Sequence, residues 1–259
     1  GNAGEAEDGF RDFTAVLVAA RLAWMGYDTP ALRRCLASRL ETLHEPAQTG
    51  DYDIYIDQDT FGDYPINPFR KKPLVDPGFN GRLPTIHDAY ALAHLPAGMV
   101  DVETQQKIDR IIDYILHPNY QALREGYGVM RAGPRRYFSM GWSVHLPGYD
   151  GNFDLERTPA ATLVQRLELM AHFPTARDHR WFREATAHLA AFREPVDDSV
   201  QAYRFPPSYL KENSAGYWVT GAYMRLEDSR RRRIALTLDS TFRMAHIHHL
   251  VRSTRTSSP

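Results

Sequence analysis

Apolar and polar side chains recur with helical period along most of the chain. Phe10, Phe13, Leu17, Ala20 and Trp24 fall at helical steps, and Val16, Val18, Ala19, Leu22 and Ala23 fill the other side. That pattern predicts a first helix that is apolar nearly all round, hence buried. Gly26-Tyr27-Asp28 breaks it, and Thr29-Pro30 supply the N-cap and first residue of a second helix. The second helix sets Leu32, Leu36, Leu40 and Leu43 against Arg33, Arg34, Arg39 and Glu41. It is amphipathic and is predicted to lie outside the first.

The pairing recurs. A short apolar-rich segment at 86–95 precedes 103–116, where Ile108, Ile111, Ile112, Ile115 and Leu116 oppose Lys107, Arg110 and Asp113. Thr158-Pro159 opens a third pair: Leu163, Val164, Leu167 and Met170, a turn at Pro174, then Trp181, Phe182, Ala185, Leu189 and Phe192. Residues 215–226 and about 230–251 form the fourth. The expected fold is all-α, one domain over 1–252 with a frayed tail at 253–259. It is built of helical hairpins, each an apolar inner helix followed by an amphipathic outer one. Turns within hairpins are short, whereas the connections 51–84, 119–157 and 195–214 are long. In a ring of up-down hairpins the long connections emerge on one rim. Residues 51–57 alternate roughly polar and apolar and predict one short strand.

Composition narrows the function classes. Thirty-one basic and 32 acidic side chains leave a net charge of −1, which points to neither nucleic acid nor a membrane surface. The run Arg230–Arg233 follows Glu227 and Asp228 and reads as a solvated helix face. Cys35 is the only cysteine, which excludes an intrachain disulfide and a multi-cysteine metal site. In its helix it is expected to be a small buried hydrophobe. No apolar run is long enough for a membrane span. The start GNAGEAEDG has neither part of a signal peptide, so the cytoplasm is the expected location.

The candidate chemistry lies in the long connections. Asp51, Asp53, Asp57, Asp59 and Asp63 alternate with Tyr52, Tyr55 and Tyr64. If extended, the first four share a face, where clustered carboxylates can hold a proton or a hard cation. His87-Asp88 opens the second inner helix after Pro84, a place for proton transfer or for a helix cap. The stretch 126–150, GYGVMRAGPRRYFSMGWSVHLPGYD, combines glycines with large rings and reads as a loop folded over a pocket. Asp57, Asp59, His87 and Asp88 are the candidate catalytic residues. Asp53, Tyr55, Arg135, Tyr137, Trp142, His145, Tyr149, Tyr209, Tyr217 and Trp218 are the candidate ligand contacts. The arginine offers anion recognition, and the rings offer cation–π or stacking surfaces. His246-x-His248-His249 falls near the end of the last helix, where histidine favours the dipole, and no metal site is assigned. The expected partner is a small molecule in a central pocket. No cofactor or oligomeric state is legible.

The hairpin pattern resembles an α/α toroid, in particular the terpenoid cyclase and protein prenyltransferase superfamily. YDIYIDQDTFGDYPINPF, from Tyr52, and GYGVMRAGPRRYFSMGWSVHLPGY are also similar to bacterial prenyltransferase-like proteins. The resemblance implies an aromatic cavity with acid residues acting on an isoprenoid-type molecule. The motifs of the superfamily are incomplete: Asp57-Gln58-Asp59-Thr60 lacks the last aspartate of the acid motif, Asp59 to Asp63 has the wrong spacing for diphosphate-bound magnesium, and Cys35 has no zinc partners. Helical toroids also carry carbohydrate lyases and hydrolases, to which paired carboxylates and aromatic platforms are suited. A non-catalytic binding or scaffold protein is the third class.

Overall fold

A computed structural model describes residues 15–56, 72–133, 136–155, 157–195, 201–210 and 233–253. The chain is mainly helical, with short strands. Its contacts gather into two compact units, Gly1–His145 and Leu146–Pro259.

In the first unit, helix α1 (15–24) is followed by α2 (Pro30–Thr49). The turn between them is built by the chemistry expected. Gly26 takes φ 93° after α1, and the Thr29 side chain accepts the Leu32 N–H to start α2. Buried Val16, Leu17, Ala19, Ala20 and Ala23 form only part of α1's surface. Val18 and Trp24 are 53% and 63% exposed, so α1 is one-sided and not buried all round. The apolar residues form a wider arc than the partner elements cover. Cys35 is half-buried, short of the fully buried hydrophobe expected.

The next pair is α3 (Ile86–Ala93) and α4 (Val102–Leu116). Asp101 caps α4 by accepting the Thr104 N–H at 2.8 Å. Ile108, Ile111, Ile112, Ile115 and Leu116 are all buried, and α4 packs against α2. Burying such side chains contributes about 1.5–3 kcal/mol each, so this isoleucine face contributes substantially to the core of the unit. A short helix α5 (Pro118–Ala122) follows at once, with Pro118 as its first residue.

The long connections carry strands. β1 (Leu74–Val75) runs parallel to β2 (Val129–Gly133), which pairs antiparallel with β3 (Arg136–Ser139). The register places Leu74 beside Val129, and Met130 beside Phe138, with an irregularity between Arg131 and Gly133. The strand expected at 51–57 is reduced to one bridge, Tyr55 to Val75, and Ile54 is fully buried there. Residue 57 lies outside the described residues.

In the second unit, α6 (Arg157–Met170), α7 (Pro174–Arg177) and α8 (Arg180–Ala190) make the expected third pair, its turn stiffened by Pro174. Leu163, Val164, Leu167, Met170, Trp181, Phe182, Ala185 and Leu189 are buried as the periodicity required. β4 (Arg193–Pro195) and β5 (Gln201–Tyr203) pair antiparallel, and a 3-10 turn, Pro207–Leu210, packs on α6. The last helix, α9 (Arg233–Ser253), contacts β5 and α6. The helix expected at 215–226 and residues Arg230–Arg232 lie outside the described residues.

Candidate functional site

In the first unit four of the candidate residues, His87, Asp88, Trp142 and His145, gather near the N-terminus of α3. Thr85 and Asp88 form a reciprocal cap: the Asp88 amide donates to Thr85 Oγ1, while the Thr85 amide and hydroxyl donate to Asp88 Oδ2 at 2.8 and 2.7 Å. Asp88 is 1% exposed, and Arg39 clamps it bidentately at 2.7 and 2.8 Å. Arg39 also donates to the Gly81 carbonyl. The periodicity of α2 set Arg39 on the solvent side, yet it is 7% exposed and turned inward. A buried carboxylate justifies that reversal, because an unpaired charge there is far costlier than an internal ion pair. Asp88 is thereby committed to holding the fold.

His87 lies beside this cap and is buried. Its ring meets the half-buried Trp142 edge to face, with centroids 4.8 Å apart. The pair is held by backbone: Thr85 bridges to Ser143, and Ile86 N–H donates to the Trp142 carbonyl at 2.8 Å. Trp142 has φ 69° and Tyr127 has φ 60°, the only non-glycine residues with positive φ among those described. Such conformations cost about 1–3 kcal/mol each and persist where the surroundings dictate them. The surroundings here are a backbone crossing. Gly141 N–H donates to the Gly126 carbonyl at 2.9 Å, and Met140 N–H donates to the Gly128 carbonyl at 3.1 Å. A Cβ on Gly128 would lie 2.4 Å from the Pro73 carbonyl oxygen.

His145 closes the crossing from the other side. A carbonyl can only accept, so His145 Nε2 donates to the Leu123 carbonyl at 2.7 Å. Its Nδ1 is left to accept from Ser143 Oγ at 2.9 Å, and that hydroxyl accepts the Gly126 N–H at 2.7 Å. One tautomer satisfies the whole set. Beneath it, Val144 N–H donates to Tyr120 Oη at 3.0 Å, Tyr120 Oη contacts Tyr127 Oη at 2.5 Å, and Tyr127 donates to the Pro84 carbonyl at 2.5 Å. Burial, with Tyr120 close by, pushes the Tyr127 phenol well above its ordinary value. Tyr114, which donates to the Asp51 carbonyl at 2.6 Å, is raised for the same chief reason. The rings of His117, Tyr52, Tyr114, Tyr120 and Tyr127 continue one another at centroid spacings of 4.8, 4.5, 5.5 and 6.1 Å. The stretch expected as a loop over a pocket is, through 126–133 and 136–146, an antiparallel strand pair and a packed crossing. Tyr127, Val129, Met130 and Val144 are buried in the core.

The other candidates fall elsewhere. Asp53 is exposed, and its amide donates to the Asp51 side chain at 3.0 Å. Tyr55 Oη accepts the Arg124 N–H at 2.9 Å, and burial raises its phenol pKa. Tyr137 is half-buried on β3, opposite Arg131. Asp57, Asp59, Arg135, Tyr217 and Trp218 lie outside the described residues. Tyr149 and Tyr209 belong to the second unit. Tyr149 stacks on His179 at 5.6 Å, near the start of α8, and Tyr209 Oη bonds His188 Nε2 at 2.7 Å toward its end.

His188 escaped the sequence reading. Phe153 stacks on its ring at 5.0 Å and Phe192 meets it edge-on at 5.5 Å. Burial lowers its pKa. The available signal was its place seven residues after Trp181, on the face of α8 that receives the 147–153 loop: Trp181 Nε1 donates to the Pro147 carbonyl at 2.8 Å. Glu168 also escaped. It accepts from Arg243 Nη1 at 2.8 Å and from His246 Nδ1 at 2.5 Å, joining α6 to α9. Burial acts to raise its pKa, but His246 and Arg243 outweigh it and hold the carboxyl below its ordinary value. His246 is thus engaged by a carboxylate, and among the described residues no group of three metal-ligating side chains occurs.

No protein-family model matches the chain, and neither a curated protein nor a solved structure does.

Proposed function

We propose that the protein is an α/α-toroid enzyme of terpenoid cyclase or prenyltransferase type, taking an isoprenoid-like molecule against the aromatic end of its first unit. The observation that carries the reading is the strained Trp142 backbone, which sets an indole against His87 at the start of α3. Strain maintained by a hydrogen-bonded crossing is a common mark of a site. An indole face suits an apolar chain or a developing carbocation. In this reading Trp142 and Tyr137 contact ligand, His87 moves a proton and Asp88 positions the helix. Asp57 and Asp59 are the acids to be tried first for ionising chemistry.

The test is titration of the purified protein with farnesyl diphosphate and geranylgeranyl diphosphate, followed by tryptophan fluorescence and product analysis. Saturable quenching that is weakened at least tenfold by Trp142→Ala is expected, with turnover lost in His87→Gln or Asp59→Asn. Absence of saturable binding by either diphosphate sinks the reading. Binding without turnover favours the scaffold or binding class instead, for which the full engagement of Asp88 and the Tyr114, Tyr120 and Tyr127 hydroxyls is the supporting observation.

A further inference from the structure

We propose that the α1–α2 turn docks the protein on an anionic lipid surface. Trp24, Met25 and Tyr27 are 63%, 65% and 57% exposed, and every residue from 24 to 31 is exposed. Large apolar side chains scattered singly over a surface are ordinary, but three within four residues of one turn are not. Val18 adds a fourth, 53% exposed, farther back on α1.

The turn is a built platform. Gly26 N–H donates to the Ala23 carbonyl at 2.9 Å and Tyr27 N–H to the Leu22 carbonyl at 3.0 Å. That is the glycine-terminated helix end in which the next residue is normally folded back on the helix. Here Tyr27 remains out in solvent. Thr29 starts α2 at once, so the rings stand on a hydrogen-bonded corner between two helices.

The charge around the corner selects the partner. Asp28 is neutralised by Arg33, which grips it at 2.5 and 2.6 Å. Arg21, one helical turn before Trp24, and Arg34, in the second turn of α2, form no ion pair among the described residues, so two cations flank the rings along the chain. Tryptophan and tyrosine prefer the headgroup level of a bilayer, and arginine stems lie along its apolar edge with the charge in the headgroups. An exposed turn with such side chains suits a deformable lipid interface better than a rigid protein groove. No helix among the described residues is long and apolar enough to cross a membrane, and the proposed contact is an interfacial one. It stands apart from the isoprenoid reading and does not depend on it.

The experiment is co-sedimentation of the full chain with phosphatidylcholine vesicles, with and without phosphatidylglycerol. The protein is expected to pellet with the anionic vesicles and to be released by raised salt. Arg21→Gln and Arg34→Gln should each lower partitioning about fivefold. The combined Trp24→Ser, Met25→Ser and Tyr27→Ser variant should lose partitioning while its melting temperature holds. Failure to pellet with anionic vesicles overturns the proposal, and so does pelleting that survives the triple variant. A dimer in solution that the triple variant abolishes also overturns it, in favour of contact between two copies.

Discussion

Arg39 reaches from α2 to Asp88 at the start of α3 and holds it with two parallel hydrogen bonds, Nε to Oδ1 at 2.7 Å and Nη2 to Oδ2 at 2.8 Å. Both side chains are buried, at 7% and 1% exposure. Removing one partner strands the other charge, so Arg39→Met should destabilise the first unit by about 3–5 kcal/mol. Adding Asp88→Asn should restore part of that loss, although the cap is weakened. Urea unfolding of the single and double variants measures both. Equal stability of Arg39→Met and the parent chain would remove the pair from the account.

The tyrosine chain from Val144 to Pro84 makes a second prediction. Tyr127→Phe removes the shorter donor to the Pro84 carbonyl, leaving it only the Tyr120 hydroxyl at 3.3 Å, and should cost about 1–3 kcal/mol. Tyr120→Phe leaves the Val144 amide unpaired and should cost a similar amount. Because the two hydroxyls touch, the double variant should depart from additivity by about 0.5–3 kcal/mol. Ultraviolet titration should also show Tyr114 and Tyr127 ionising only when the fold opens in strong alkali, since burial pushes both phenols up.

Two glycines are held by contact. Gly128→Ala drives a Cβ to 2.4 Å from the Pro73 carbonyl, and Gly148→Ala drives one to 2.5 Å from the Phe153 ring at φ 73°. Each should cost about 3 kcal/mol or more. Gly98 has nothing within 4 Å of its added Cβ, and Gly98→Ala should change stability by about 0.5 kcal/mol or less. Thermal melts of the three variants provide the comparison.

The second unit should weaken with acid in two stages. His188 and His248 have pKa values lowered chiefly by burial, so the folded chain binds fewer protons than the unfolded one. Their contribution is present above the ordinary histidine value of about 6.5 and is lost as pH falls through the lower folded values. Glu168 follows the same sign in the carboxylate range. Its contribution is present above the ordinary value and is lost as pH falls through its lowered one. Melting temperature against pH should therefore decline first below neutrality and again in strong acid. His188→Gln should flatten the first decline and Glu168→Gln the second. Unchanged profiles in both variants would contradict these assignments.

The helices were legible because a buried face repeats along the chain. The isoleucines of α4 and the Trp181–Leu189 face of α8 are read from spacing alone. The Thr29-Pro30 start of α2 was legible too, whereas Thr85, the partner of Asp88 in the α3 cap, was not singled out from the sequence. His87, Asp88, Trp142 and His145 were singled out from residue type, and they occupy one neighbourhood. Their division of labour was not legible. Asp88 becomes structural only because Arg39 turns inward from a helix face that looks polar. The glycines of 126–150 suggested a lid. They instead allow two backbones to cross at Gly126 and Gly141, which depends on which strand pairs with which.

Local chemistry therefore settled from the sequence where α2, α4 and α8 run and which residues are chemically able. These are short-range preferences, decided within a turn or two of the chain. The tertiary structure alone decided that Arg39 meets Asp88, that Tyr127 meets Pro84, that Trp142 is set against His87 and that Glu168 joins α9 to α6. Those choices join residues far apart in sequence, and each is made by the need to pair a buried polar group, for which the sequence pattern carries no register.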